Sequence, residues 1–154
     1  MTEPAPQDFS EIINKSMNDG WMGAMGIKIV RASRDEVAAE LEIGPVHLQA
    51  LGIVHGGVHS GIIESIASIG AALDVLPSGR TVVGLENHTS FLRAVRSGKL
   101  TALAKPLTRG RRSQLWEASV HDDKGRLVAS GRVRLIVLEP DSELAGAKAG
   151  IQER

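Results

Sequence analysis

The stretch HGGVHSGIIESIASIGAALDV, residues 55–75, decides the fold because it predicts one long helix that is apolar on nearly every side. From Gly57 to Val75 it is rich in isoleucine and alanine and contains no proline, which favours a helix of about five turns. The sequence Pro77-Ser78-Gly79 marks its end. A helix this apolar must be covered on most of its surface.

Six segments with the pattern of β-strands flank this helix, two before it and four after it. They are residues 27–32 and 37–43, and then 81–92, 99–108, 112–122 and 127–138. Short turns join neighbouring segments, so we predict an α+β fold in which an antiparallel sheet wraps around the central helix. One sheet covers one side of the helix, and we expect a second copy of the chain to cover much of the rest.

The chain of 154 residues is the size of one domain. We assign residues 1–20 to an N-terminal extension with a short helix, 21–139 to the folded domain and 140–154 to a polar C-terminal tail. The glycines at 20, 23 and 26 predict a flexible approach to the first strand.

Composition excludes several classes of function. Lys and Arg together number 18, as do Asp and Glu, and this balance argues against a nucleic-acid or membrane-surface partner. The chain contains no cysteine, which excludes disulfides, thiolate metal sites and a cysteine nucleophile. The polar, acidic first residues do not resemble a signal peptide, and we expect a cytoplasmic protein.

The first residues of the helix allow several interpretations. His55 and His59 are four residues apart, as in zinc-binding helices, with Glu64 as a third ligand. However, Glu64 lies about 140° around the helix from His59, so we expect no metal. The stretch also lacks the G-x-x-x-x-G-K-[ST] pattern of a phosphate-binding loop.

A purely structural interpretation has His55 capping the helix, two glycines allowing close packing, and Glu64 reaching solvent. Ser60, Glu64 and Ser68, however, form a narrow polar stripe among isoleucines. A carboxylate in such surroundings needs partners or a function, and partial desolvation makes it a good base or nucleophile.

The start of the helix supplies a complementary group. Its unpaired N–H groups suit a carbonyl oxygen that gains negative charge, and Gly56 or Gly57 lets a substrate approach the backbone. Gly56 and Glu64 lie about 12 Å apart along one helix, so one carbonyl cannot contact both. If both act on one carbonyl, Glu64 must come from a neighbouring subunit, and the active site is shared across a dimer.

Several motifs in residues 21–138 resemble the hotdog-fold acyl-CoA thioesterases. One is Gln49-x-x-Gly52-x-x-His55-Gly56-Gly57, followed by an acid nine residues after the histidine. The glutamine and glutamate are those of the glutamate-using branch, and 87–93 resembles its 4-hydroxybenzoyl-CoA thioesterases. Residues 82–86, 105–107 and 123–127 resemble the 1,4-dihydroxy-2-naphthoyl-CoA thioesterases.

The resemblance implies a role for each matching residue. Glu64 is the nucleophile or general base, the Gly56 N–H polarises the thioester carbonyl, and Gln49 and His55 orient the substrate and the loop. Ser68 helps to position the water or the carboxylate. The remaining residues implied to bind substrate or CoA are Gly57, His59, Arg93, Gly110, Arg111, Arg112 and Ser113. The resemblance requires no cofactor.

The implied CoA-binding residues at 110–113 also have support from the charge pattern. Arg109, Arg111 and Arg112 lie within four residues of a neutral chain and near Lys105, and guanidinium groups suit phosphates. A solvated hairpin turn explains the same pattern.

We therefore expect hydrolysis of an acyl- or aroyl-CoA thioester by a homo-oligomer, with dimers that share active sites and pair into a homotetramer. The alternatives are a non-catalytic acyl-CoA binding module and a CoA-ester hydratase, which would need a histidine to converge with Glu64. Helix position suggests Val58, His59, Ile63 and Ala67 as lining residues of the acyl pocket. The acyl group itself stays open between hydroxybenzoyl, dihydroxynaphthoyl and aliphatic.

Overall fold

The sheet consists of six antiparallel strands in the spatial order β1-β2-β4-β5-β6-β3 in the computed structural model, which describes residues 7–150. Their bounds are β1 Lys28–Ala32, β2 Val37–Glu42, β3 Thr81–Phe91, β4 Lys99–Arg109, β5 Ser113–His121 and β6 Leu127–Leu138. All six lie within a residue or two of the predicted segments. The strand after the long helix is therefore not next to the strand before it but at the far edge of the sheet.

The central helix α3, Gly56–Val75, begins one residue earlier than predicted and packs against β2 to β6. Its isoleucines at 62, 63 and 66 are at most 1% exposed. Gly70 lies against the fully buried Trp116 of β5, because a Cβ there would be 2.2 Å from the indole ring. By length and hydropathy alone α3 could cross a membrane, but a buried core helix has the same properties. The predicted α+β fold, with a sheet around one helix, is confirmed.

The N-terminal segment contains a short helix, as predicted, and a second one that was not predicted. Residues Ser10–Ser16 form helix α1, which the Asn14 side chain ties to both the N–H and the carbonyl of Ile29. The glycine-rich approach to β1 contains a short helix, α2, at Trp21–Ala24. The flexibility of this approach stays a prediction. The Trp21 ring covers Gly61 of α3, where a Cβ would lie 2.1 Å from the indole.

The remaining short elements lie in the connections and in the C-terminal segment. Residues Pro45–His47 and Leu76–Ser78 form 3-10 helices on either side of α3. The predicted polar tail contains a small hairpin of β7 (Glu143–Leu144) and β8 (Ala147–Lys148). The residues of both strands are exposed and lie outside the hydrophobic core.

Strand β3 has one neighbour, β6, and therefore leaves one edge of the sheet unpaired within residues 7–150. A bulge between Gly84 and Glu86 bends it beside α3. Leu85 and Phe91 are more than half exposed on this strand. The open edge and the adjacent face of α3 form the surface on which the candidate site lies.

Candidate active site

Helix α3 begins with a side-chain cap from His55. The backbone of His55 is extended, and its Nδ1 accepts a hydrogen bond from the Gly57 N–H at 2.9 Å. Since Nδ1 accepts, the ring proton of the neutral imidazole is on Nε2. A Cβ at Gly57 would lie 2.9 Å from that Nδ1, so glycine leaves the ring its capping position.

Gly56 is the first residue of α3, and its N–H donates to no oxygen of residues 7–150. This N–H points out of the positive end of the helix dipole, where it can bind a carbonyl oxygen. The ring of Phe91 lies against the glycine, since a Cβ at Gly56 would be 2.9 Å from its Cζ. The absence of a side chain at Gly56 is therefore needed for the packing of β3 onto the helix start.

Gln49 lies in the loop that leads to α3. Its Oε1 accepts from the Leu51 N–H at 2.9 Å, which leaves its Nε2 to donate elsewhere. Arg96 fixes the same loop from outside, because its Nη1 donates to the Leu51 and Gly52 carbonyl oxygens at 2.8 and 3.2 Å. Gly52 has φ +70, a left-handed conformation that favours glycine. The structure thus brings Gln49 to the same end of α3 as His55 and Gly56.

His59 lies one turn inside the helix and is only 3% exposed. Burial lowers the pKa of this imidazole below its usual value, so the ring is neutral near pH 7. Its Nδ1 is buried and has no hydrogen-bond partner in the described chain. The ring of Phe91 stands 6.3 Å away, centroid to centroid.

Glu64 lies half-buried, two turns further along α3, and its carboxylate faces strand β3. Asn87 Nδ2 donates to its Oε2 at 3.0 Å, and Ser68 Oγ donates to its Oε1 at 3.4 Å. Gly84 makes room for it, because a Cβ there would be 2.4 Å from Oε1. The predicted pair of Glu64 and Ser68 is therefore brought together, with two residues of β3 added.

The two clusters are separate within one chain. The cluster of Gln49, His55 and Gly56 lies at the start of α3, and Glu64 lies eight residues later on the same unbroken helix. That spacing amounts to about 12 Å along the axis. Among residues 7–150, no group of three histidine or acidic side chains is arranged to hold a metal ion. The arrangement offers a carboxylate and an N–H donor, the two parts needed for acyl transfer.

The predicted nucleotide-binding residues lie at two turns. Gly110 and Ser113 close the β4–β5 hairpin through a Gly110 N–H to Ser113 carbonyl bond of 2.8 Å, and Arg111 and Arg112 are exposed on it. Arg93 is exposed just after β3. These three arginines form no ion pair with a carboxylate of residues 7–150. Their charge is therefore free for an anionic ligand.

The two other cations of that predicted cluster have partners within the fold. The Nη2 atom of Arg109 lies 2.6 Å from Asp35 Oδ1, and its guanidinium stacks 6.0 Å from the Trp116 ring. Lys105 pairs with Glu36 at 3.1 Å, and this lysine is the main cause of a lowered Glu36 pKa. Arg109 and Lys105 are therefore engaged within the fold, whereas Arg111 and Arg112 carry the charge at the exposed turn.

Asn87 and Gly84 were not predicted as site residues. Both lie within residues 82–93, which carry part of the resemblance, and that position was the only sign in the sequence that they belong to the site. An amide on a strand and a glycine within it indicate no chemistry until the strand is known to lie beside Glu64.

A helix wrapped by an antiparallel sheet, with a carboxylate and an open helix N-terminus on one face, defines a hotdog-type acyl-transfer site. The family model of the thioesterase superfamily matches residues 51–129. The chain belongs to this superfamily and is a thioester hydrolase.

Two relatives of named activity are similar over most of their length. The 1,4-dihydroxy-2-naphthoyl-CoA hydrolase of Escherichia coli is 30% identical over 83% of this chain and 93% of its own. The proofreading thioesterase EntH of Klebsiella pneumoniae is 32% identical over 82% and 91%. A solved thioesterase from Haemophilus influenzae superimposes with a TM-score of 0.80 at 31% identity, covering 91% of this chain and 94% of that one. The predicted family and hotdog fold are confirmed.

Proposed function

We propose that the protein hydrolyses an acyl- or aroyl-CoA thioester, with Glu64 as the attacking or base-catalytic carboxylate and the Gly56 N–H polarising the carbonyl. The observation that carries the proposal is the Glu64 carboxylate. It is half-buried on an otherwise apolar helix and is held by donors from Ser68 and Asn87. A carboxylate held in this way, with no cationic partner among residues 7–150, is suited to chemistry rather than to an ion pair.

Two routes use the same geometry. As a nucleophile, Glu64 attacks the thioester carbon, the carbon–sulfur bond breaks, and CoA leaves as the thiolate; water then hydrolyses the mixed anhydride. As a general base, Glu64 takes a proton from water, which attacks the same carbon. In both routes the carbonyl oxygen gains negative charge, and the Gly56 N–H stabilises it.

The proposed active site is shared between two subunits. Gly56 and Glu64 of one chain are too far apart along α3 to contact one carbonyl, so an antiparallel second helix must supply one of them. The open edge of β3 supports this arrangement, because an uncovered strand edge with exposed Leu85 favours pairing with a second copy. We propose a homodimer of this kind, and a dimer of dimers as the full assembly.

The CoA nucleotide is proposed to bind the exposed arginines Arg93, Arg111 and Arg112. These arginines form no ion pair within residues 7–150, which supports this role, and guanidinium groups form bidentate hydrogen bonds with phosphates. The name of one relative, a 1,4-dihydroxy-2-naphthoyl-CoA hydrolase, favours an aroyl group. His59 beside Phe91 offers an apolar pocket wall in which the His59 Nδ1 has no hydrogen-bond partner among residues 7–150.

The substitution Glu64→Gln tests the function. It keeps the shape of the side chain but removes the charge, and we expect kcat for release of CoA to fall by at least about 1,000-fold. The released thiol is measured with a thiol reagent, which meets no cysteine of the protein. The panel contains 4-hydroxybenzoyl-, dihydroxynaphthoyl- and fatty acyl-CoA esters.

Glu86→Gln is the matched control, since Glu86 is an exposed glutamate of β3 whose Oε2 lies 3.9 Å from Arg134 Nε. Its turnover should stay at the parent level. If Glu64→Gln retained parent turnover, the assignment of Glu64 would be wrong. If the parent bound CoA esters tightly but hydrolysed none of the panel, the non-catalytic binding module would be the better function.

A further inference from the structure

The side-chain amide of Asn87 connects edge strand β3 to the Glu64 carboxylate. Its Nδ2 donates to Glu64 Oε2 and to the Ser60 carbonyl oxygen, both at 3.0 Å. Its Oδ1 accepts from the Thr89 hydroxyl at 2.6 Å. Both N–H groups and one lone pair of the amide are therefore used.

Only one orientation of this amide satisfies its neighbours. A carboxylate oxygen and a backbone carbonyl lie on one side of the group, and both accept hydrogen bonds without donating any. Reversing the amide would place Oδ1 against two acceptors. The Glu64 carboxylate and the Ser60 carbonyl therefore fix the orientation of the amide, and the Thr89 hydroxyl on the other side supports it by donating to Oδ1.

The amide also fixes where the carboxylate lies. Because Asn87 bonds to the Ser60 carbonyl, it is anchored to the backbone of α3 one turn before Glu64. Its bond to Oε2 is shorter than the bond from Ser68 to Oε1. Oε1 is thus held by the longer hydrogen bond, and it occupies the space that a side chain at Gly84 would fill.

We propose that Asn87 is a positioning residue for thioester hydrolysis. Supported by Thr89, it holds Oε2 of Glu64 and thereby fixes the position of the carboxylate that reacts. The inference rests on the proposed function of Glu64 and adds two residues of β3 to it.

The first test measures kcat and KM separately. Since Asn87 holds the carboxylate and not the substrate, Asn87→Ala should lower kcat by about 10- to 100-fold and change KM by less than about threefold. Thr89→Val, which keeps the shape of the side chain but removes the hydroxyl, should lower kcat by roughly 3- to 10-fold. Thr89→Ser should restore most of the parent kcat.

The second test is the pH profile of Asn87→Asp. This variant replaces the N–H donor with a second carboxylate beside Glu64, and two carboxylates at such a distance share a proton. The acidic limb of the kcat profile should therefore move to higher pH by about one unit or more. An unmoved limb would show that residue 87 does not lie beside the carboxylate that controls the rate.

Ser90→Ala is the control, because alternation along β3 puts Ser90 on the face opposite Asn87 and Thr89. It should keep the parent kcat. The inference is overturned if Glu64→Gln is inactive while Asn87→Ala and Thr89→Val keep the parent kcat, or if the acidic limb of Asn87→Asp does not move. If Glu64→Gln is itself active, the proposed function fails and this inference fails with it. Should Asn87→Ala not fold, Thr89→Val and Asn87→Asp decide the question.

Discussion

Gly84→Ala should separate activity from stability at the candidate site. The added Cβ would lie 2.4 Å from Glu64 Oε1, and an ordinary carbon–oxygen contact is longer than 3.4 Å. The carboxylate must therefore move by about 1 Å, and a displacement of that size at a reacting group lowers kcat by roughly 100-fold. Oε1 is the far end of a flexible side chain, so the fold need not change.

The expected loss of stability is correspondingly small. We expect less than about 1 kcal/mol, or a Tm change of roughly 3 °C for a chain of this size. The assay is CoA release with a thiol reagent, alongside thermal unfolding and size-exclusion chromatography. Gly20→Ala is the matched control, because its Cβ would meet the Met17 carbonyl oxygen at an ordinary 3.6 Å. A Gly84→Ala kcat within about threefold of the parent, with the oligomer intact, would refute the placement of Glu64 at the reaction.

Three further predictions concern residues around α3. Burial lowers the pKa of His59 from its ordinary 6.5, so the unfolded state takes up the proton before the folded state does as the pH falls. The free energy of unfolding should therefore be highest above about pH 6.5 and decrease below it. His59→Gln should flatten that slope in urea unfolding followed from pH 7.5 to 5; an unchanged slope contradicts it. Gly70→Ala places a Cβ 2.2 Å from the Trp116 ring, and calorimetry should show a loss of about 1–3 kcal/mol. No loss would mean that the ring moves freely. In Gly57→Ala the new Cβ would displace the His55 Nδ1 that caps α3, so kcat for CoA release should fall. A kcat equal to that of the parent would show that the cap is dispensable.

The long helix and the strands could be predicted because their patterns are local. Residues 57–75 are apolar without a proline, and strand segments alternate, so their bounds differ from the structure by only a residue or two. Glu64 stood out for a similar reason, since a carboxylate among isoleucines is unusual at any place in a fold. The short helix Trp21–Ala24 was not predicted because the surrounding glycines indicate a loop. The packing of Trp21 on Gly61 cannot be read from the local sequence.

The partners of the site residues could not be predicted because they depend on strand order. Nothing in the alternation of residues 81–92 shows that this strand lies at the sheet edge beside α3, where Asn87 meets Glu64. The same holds for Arg109, whose carboxylate partner Asp35 is 74 residues away in sequence. Of the arginines that cluster in the sequence, Arg109 forms an ion pair with Asp35, whereas Arg111 and Arg112 are exposed at the surface.

The most direct test of the shared active site is activity in mixed dimers. One subunit carries Glu64→Gln, the other carries Gln49→Ala with Gly56→Ala, and two affinity tags isolate the mixed species after co-expression. If each site combines Glu64 of one chain with the helix start of the other, one of the two sites is intact, and kcat per dimer should reach about half of the parent value. If both parts belonged to one chain, every site would carry a defect. Activity no higher than that of the two defective homodimers would contradict the account.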